Sequence, residues 1–200
     1  MKPVPSYPPE TLEAMRVEFT DLLLETKRPG MEDLLAWLDG ETDFFTAPAS
    51  TQFHGAIRGG LLSHSLTVYK LLGNFTKKLE VSQDSLRIAG LLHDLCKANL
   101  YATKVRNVKV PGERRWEEEE SFCIEDNFPM GHGEKSVYLA MKYIQLTDEE
   151  ALAIRWHMGG YDDAARAYVG GMTQSNAFRQ YPMAAALSIA DMYAAYLIER

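Results

Sequence analysis

The sequence predicts an all-α fold, a helical bundle carrying one small β-hairpin. Three observations lead there. Apolar residues recur at three-and-four spacing through most of the chain, start and stop signals bracket those stretches, and strand-like alternation is confined to residues 101–126. Two hundred residues, 46% of them hydrophobic, suit one domain with a sizeable core. We read that domain as an N-terminal helical extension over 1–52 and a core over 53–200.

Residues 1–9 are proline-rich and read as an extended lead-in. From Glu10 to Lys27, Leu12, Met15, Phe19, Leu22 and Leu23 mark the buried face of an amphipathic helix, which Arg28-Pro-Gly30 ends. Met31 to Leu38 forms a short second helix closed by Gly40. Residues 43–52 read as a loop with a structural role only. Gly59-Gly60 then opens a helix running to about Leu79, with Leu61, Val68, Leu71, Leu72 and Phe75 facing inward and His64 one turn inside. Ser82 caps the next helix, which ends near Ala98 and carries His93-Asp94. Val105, Val108 and Val110, then Pro111-Gly112, then Trp116 and Phe122, predict the inserted hairpin. His132 opens the following helix. Thr147 and Glu150 form a capping box that starts another, ending at His157-Met158-Gly-Gly. Residues 161–168 are short and polar, with Gly170-Gly171 as their end. Pro182 precedes the last helix, 183–199, apolar almost all round but for Asp191.

Composition narrows the function. No run of 18 apolar residues exists, so no transmembrane helix is expected, and the N-terminus shows no signal-peptide pattern. Only Cys96 and Cys123 are present, so no disulfide framework is implied and a cytoplasmic location fits. Cys96 reads as a small core residue. The net charge of −7, from 28 acidic against 21 basic residues, disfavours a long phosphate-tracking surface for nucleic acid. It leaves room for a small anionic substrate at a local basic cluster. The six basic residues Lys97, Lys104, Arg106, Lys109, Arg114 and Arg115 read either as a solvated hairpin or as a flap attracting such an anion.

The chemistry-bearing residues sit where polar groups are costly. Asp94 lies among Leu91, Leu92 and Leu95, and Asp191 on an apolar helix; a buried carboxylate needs a partner or a metal. Lys97 follows Asp94 by three residues, on the same side of a helix. Taken singly, His64 reads as a core histidine and His157 as a helix C-terminal cap. Taken together, His54, His64, His93, His132 and His157 with the two carboxylates form a mixed nitrogen–oxygen ligand set. Such a set suits Mn, Fe, Zn, Ni or Co rather than calcium.

The order His64, His93-Asp94, His132, His157, Asp191 resembles the HD superfamily of metal-dependent phosphohydrolases. The blocks Gly-Gly-Leu-Leu-Ser-His-Ser (59–65), Leu-Leu-His-Asp-Leu-Cys-Lys (91–97) and Gly-His-Gly-Glu (131–134) carry the likeness, which runs from about His54 to Asp191. It is nearest to the HD half of bacterial 3′-to-5′ exoribonucleases that join an OB-fold to an HD domain. The resemblance implies His64, His93, Asp94 and Asp191 as core metal ligands. It implies His132 and His157 as further ligands of a second ion bridged by Asp94, or as phosphate contacts beside a single ion. It also implies Lys97 as a phosphate-binding lysine and His54 as a general acid. Arg155, or Arg58, would add charge for the transition state. This chain lacks the OB-fold, and it lacks the paired histidines and Gly-Tyr-Pro signature of cyclic-di-GMP hydrolases.

The expected activity is phosphoester hydrolysis of a nucleotide or short oligonucleotide by metal-activated water, with one or two divalent ions as cofactor. The alternatives are a non-catalytic HD domain that binds a nucleotide as sensor or adaptor, and a 3′–5′ exonuclease working with a nucleic-acid-binding partner. A homodimer is compatible with so apolar a last helix.

Overall fold

The computed structural model describes residues 1–199; Arg200, the last residue of the expected core, lies outside them. Nine α-helices and one two-stranded antiparallel sheet make up the described chain. The expected all-α bundle with a hairpin is what the chain forms.

The bundle is built on four helices: α3 (Gly60–Phe75), α4 (Gln83–Leu92), α6 (Asp148–Trp156) and α9 (Pro182–Tyr193). Helix α3 packs on α4 and α9, and α6 packs on both α4 and α9. Leu61, Leu62, Val68, Leu72, Ile88, Leu91, Leu92, Ile154 and Leu187 are fully buried between them. Helix α1 (Pro9–Leu24) lies across α3 and α4, and α2 (Met31–Glu41) packs on α1. Helix α5 (His132–Met141) joins α6, and α7 (Asp163–Arg166) and α8 (Tyr168–Gln180) close the side of α6 and α9.

The caps predicted from the sequence form. The Ser85 N–H donates to the Ser82 hydroxyl at the start of α4, and Thr147 and Glu150 complete their reciprocal capping box. Glu150 does more than cap: it is fully buried, accepts two bonds from Arg28 (2.8 and 3.0 Å) and one from the Ser85 hydroxyl (2.9 Å). It thereby ties the turn after α1 to the starts of α4 and α6.

Several boundaries differ from expectation: α1 stops at Leu24 rather than Lys27, and α2 runs through Gly40, where no Cβ would clash, to Glu41. The helix carrying the dyad stops at Leu92 rather than near Ala98, and a 3-10 turn over Leu95–Lys97 follows. The His93 ring takes the Gly90 carbonyl, and Asp94 leaves helical geometry at φ −100°, ψ 21°. Helix α3 ends at Phe75 rather than Leu79, where the Thr76 hydroxyl donates to the Leu72 carbonyl. Gly170-Gly171 does not end a helix but lies inside α8: a Cβ on Gly170 would come 1.7 Å from the Ala164 carbonyl oxygen, so glycine here permits α8 to press on α7. The last helix runs as α through Tyr193 and then widens into a π-helical turn over Ala194–Ile198.

The hairpin pairs β1 (Tyr101–Lys109) with β2 (Trp116–Ile124), Tyr101 opposite Ile124 and Lys109 opposite Trp116. The lead-in adds to its edge, the Lys2 N–H donating to the Glu118 carbonyl. Two of its basic residues meet acidic ones locally: Arg106 faces Glu119 across the strands, and Arg115 pairs with Glu113 and Glu117.

Candidate metal centre

The ends of three helices and the interiors of two more converge on Asp94. His93 and His157 are the residues just past the C-termini of α4 and α6, where the last carbonyls lack intrahelical partners. Each ring uses one: His93 Nδ1–H donates to the Gly90 carbonyl (2.9 Å), and His157 Nδ1–H to that of Ile154 (2.6 Å). A carbonyl only accepts, so the proton sits on Nδ1 in both rings and Nε2 is turned inward. His132 is the first residue of α5. A Cβ on Gly133 would come 2.1 Å from the Arg155 carbonyl oxygen, so this glycine lets the start of α5 approach the end of α6 and sets His132 beside His157. Their ring centroids are 5.1 Å apart. His64 comes from within α3 and Asp191 from within α9.

The two oxygens of Asp94 serve different pairs of imidazoles. Oδ2 lies 3.6 Å from His64 Nε2 and 3.5 Å from His93 Nε2; Oδ1 lies 2.8 Å from His132 Nε2 and 3.6 Å from His157 Nε2. Lys97 Nζ is 2.7 Å from Oδ2. His64 Nε2 is 3.0 Å from Asp191 Oδ1 and 3.4 Å from His93 Nε2. His64, His93, Asp94, Lys97 and His157 are all buried.

Burial and neighbouring charge pull the titratable groups of this cluster in opposite directions. Burial drives the His93 pKa down to about 3, so its inward Nε2 carries a lone pair. Burial also opposes charge on His64, yet Asp191, Glu199 and Asp94 outweigh it and lift that ring to about 9. His157 is raised in the same way, burial being overcome chiefly by Asp94. Asp94 itself, despite burial, is held well below the usual carboxylate range by Lys97 and the surrounding imidazoles. The pull for protons at this point is one that a metal cation satisfies equally. His157 Nε2 is buried and lacks a hydrogen-bond partner among the described residues, as expected of a ligand nitrogen. The donor set fits a divalent transition metal. One group of donor atoms, from His64, His93 and Asp94, lies within 4.8 Å of one another, and so does a second, from Asp94, Cys96 and His132.

Cys96 is buried, as the sequence predicts of a core residue, but its Sγ also lies 3.4 Å from both ring nitrogens of His132. Its position between dyad and lysine was the available signal. Burial raises its thiol to about 12.

A cavity of about 630 Å³ opens above the cluster. Asp94, Lys97, His132, His157 and Asp191 reach it, and so does His54, whose ring lies 5.0 Å from that of His64 and whose Nε2 is buried without a partner among the described residues. Burial lowers the His54 pKa. The walls are largely apolar and aromatic: Phe53, Tyr101, Met158, Tyr161, Met192 and Tyr196. Ala49 and Ser50 also line it, so the 43–52 loop, expected to be structural only, helps form the site. Of the hairpin strands, Tyr101 reaches the cavity.

Arg155 is not brought there. Its guanidinium pairs with Glu134 and with Asp162 (2.6 Å) and lies over the Trp156 ring, 4.0 Å from its centroid. Arg58 lines a separate cavity of about 250 Å³ with Asp43 and Phe122.

No helix among the described residues is long and apolar enough to cross a membrane. Comparison with curated proteins and with solved structures gave no match. The model of the HD domain family, by contrast, matches residues 61–196, which span α3 to the π-helical turn and include His64, His93, Asp94, His132, His157 and Asp191. The chain belongs to the HD domain family, whose members are generally metal-dependent hydrolases.

Proposed function

We propose that this protein is a metal-dependent phosphohydrolase that cleaves a phosphoester bond of a nucleotide or short oligonucleotide. The observation that carries the reading is the division of Asp94, each oxygen turned to its own pair of imidazoles at the floor of an open cavity. His64, His93, Asp94 and Asp191 would hold one ion. His132, His157 and the other oxygen of Asp94 are disposed to hold a second, with the Cys96 sulfur nearby. Mn, Fe, Zn, Ni or Co suit such ligands. A divalent ion bound there supplies Lewis acidity, polarising a phosphoryl oxygen and lowering the pKa of a coordinated water toward neutrality.

The remaining steps belong to this chain's own residues. The Lys97 ammonium, kept charged by Asp94 against the effect of burial, faces the cavity and would neutralise charge building on the phosphoryl group. His54, whose Nε2 has no partner among the described residues, would hold a proton there and deliver it to the leaving oxygen. The aromatic walls offer stacking surfaces to a base, an interaction worth about 1–3 kcal/mol per base in nucleic-acid binding. Arg155 has no part in this mechanism, being held by two carboxylates away from the cavity. The likeness of the motif blocks to OB-fold/HD exoribonucleases supports keeping short oligonucleotides among the substrates, and the net charge of −7 favours small ones.

The test is elemental analysis of wild type and Asp94→Ala side by side, followed by hydrolysis assays with nucleotides and oligonucleotides in Mn²⁺. About two equivalents in the wild type, lost in the variant, support the bridged pair; about one supports a single ion with His132 and His157 on the phosphate. Full hydrolysis by metal-depleted Asp94→Ala would refute the mechanism. Nucleotide binding with no hydrolysis by the loaded wild type would favour a sensor or adaptor.

A further inference from the structure

His64 is gripped at both nitrogens. Nε2 faces Asp191 and Asp94, while Nδ1 lies 2.8 Å from Glu199 Oε2. Glu199 stands outside the residues that match the family, so membership does not account for it. Its place depends on a local irregularity. In a regular α-helix the eight residues from Asp191 to Glu199 would turn about 800°, leaving Glu199 about 80° around the axis from Asp191. The turn over Ala194–Ile198 is π-helical instead, and the Glu199 N–H donates to the carbonyl of Ala194, five residues back. A wider turn rotates less per residue, which swings Glu199 back toward the face that carries Asp191. Both carboxylates therefore reach one buried imidazole.

We propose that Glu199 is a positioning residue for the metal centre: by accepting a hydrogen bond from His64 Nδ1–H, it fixes the tautomer and plane of the ring with Nε2 directed at the ion. This rests on the metal-centre reading above. An imidazole ligand anchored by a carboxylate through its other nitrogen is held in orientation and made more basic, and losing such a support typically lowers metal affinity about 10–100-fold.

Zinc, being diamagnetic, is the probe. Zn²⁺ affinity is measured by competition with a chromophoric chelator for wild type, Glu199→Ala, Glu199→Gln and Glu199→Asp. The imidazole N–H resonances of the zinc-loaded proteins are recorded by ¹⁵N-edited NMR. The expected result is a loss of about 10–100-fold in affinity for Glu199→Ala, with partial recovery in Glu199→Asp. The His64 Nδ1–H resonance is expected to be present in the wild type and lost or shifted in Glu199→Ala. Glu199→Gln, which keeps the shape and an acceptor oxygen, guards against a folding defect and should bind with intermediate affinity. Wild-type affinity in Glu199→Ala with an unchanged His64 resonance would overturn this role alone. Failure of the wild type to bind zinc would overturn both this role and the metal-centre reading.

Discussion

At Asp94 a single buried carboxylate meets four imidazoles and an ammonium, and the energetics of the site follow from that crowding. Lys97 is the one partner with a permanent charge, 2.7 Å from Oδ2. Replacing it tests whether the ammonium serves the carboxylate or the substrate. Lys97→Met keeps an unbranched apolar stem of similar reach. If Lys97 acts on the phosphoryl group, metal content stays at the wild-type level and kcat falls about 10²–10³-fold, as measured by steady-state kinetics in Mn²⁺. Loss of metal together with activity would show that Lys97 acts through Asp94 instead. Arg155 illustrates the opposite case. Its charge suggested a role in the sequence, but Glu134 and Asp162, 21 residues before and seven after, reach it through space. No spacing rule links these three positions.

At the scale of the elements, the site is assembled from helix ends. The last carbonyls at the C-termini of α4 and α6 orient His93 and His157, so in each ring the capping bond at Nδ1 leaves Nε2 free to serve the proposed ligand role. The start of α6 shows a second junction. Burial favours the neutral acid at Glu150, but the Arg28 guanidinium, the Thr147 N–H and the Ser85 hydroxyl outweigh it and set its pKa below the ordinary 4.5. A folded value below the unfolded one stabilises the protein above about pH 4.5, and that contribution is lost as pH falls through the folded value. Glu150→Gln is thus expected to lower stability at pH 7 by about 1–3 kcal/mol. The gap from wild type should narrow progressively below pH 4.5. Urea unfolding at a series of pH values checks it, and a gap independent of pH would contradict the assignment.

For the whole molecule, the candidate metal centre draws on α3, α4, α5, α6 and α9, so an ion bound there would act as a staple across the bundle. An ion present at 100 times its dissociation constant adds about 2.7 kcal/mol to folding stability. In a chain of this size that corresponds to a Tm shift of roughly 5–10 °C. Removing metal with a chelator is expected to lower Tm by that amount, and adding Mn²⁺ back to restore it; the comparison is made by calorimetry on wild type and Asp94→Ala. The variant should show little response to either treatment, and an equal response in both proteins would argue against an ion at Asp94.

Much of this molecule could be read from residue order. The helices announce themselves by apolar spacing, the caps at Ser82 and Thr147 by short local patterns, and the ligand candidates by being polar where the helical pattern demands apolar side chains. Those signals are local, set by neighbours within about one helical turn. The tertiary structure decided the rest, because the rest depends on distance through space. It broke the dyad helix after Leu92, kept the glycine pair inside α8 where another helix presses close, and drew the 43–52 loop to the cavity wall. It paired Arg155 with carboxylates that no local pattern connects to it. Glu199 is the clearest instance: no local pattern marks it, and a π-helical turn, worth a fraction of a rotation, brings it to His64.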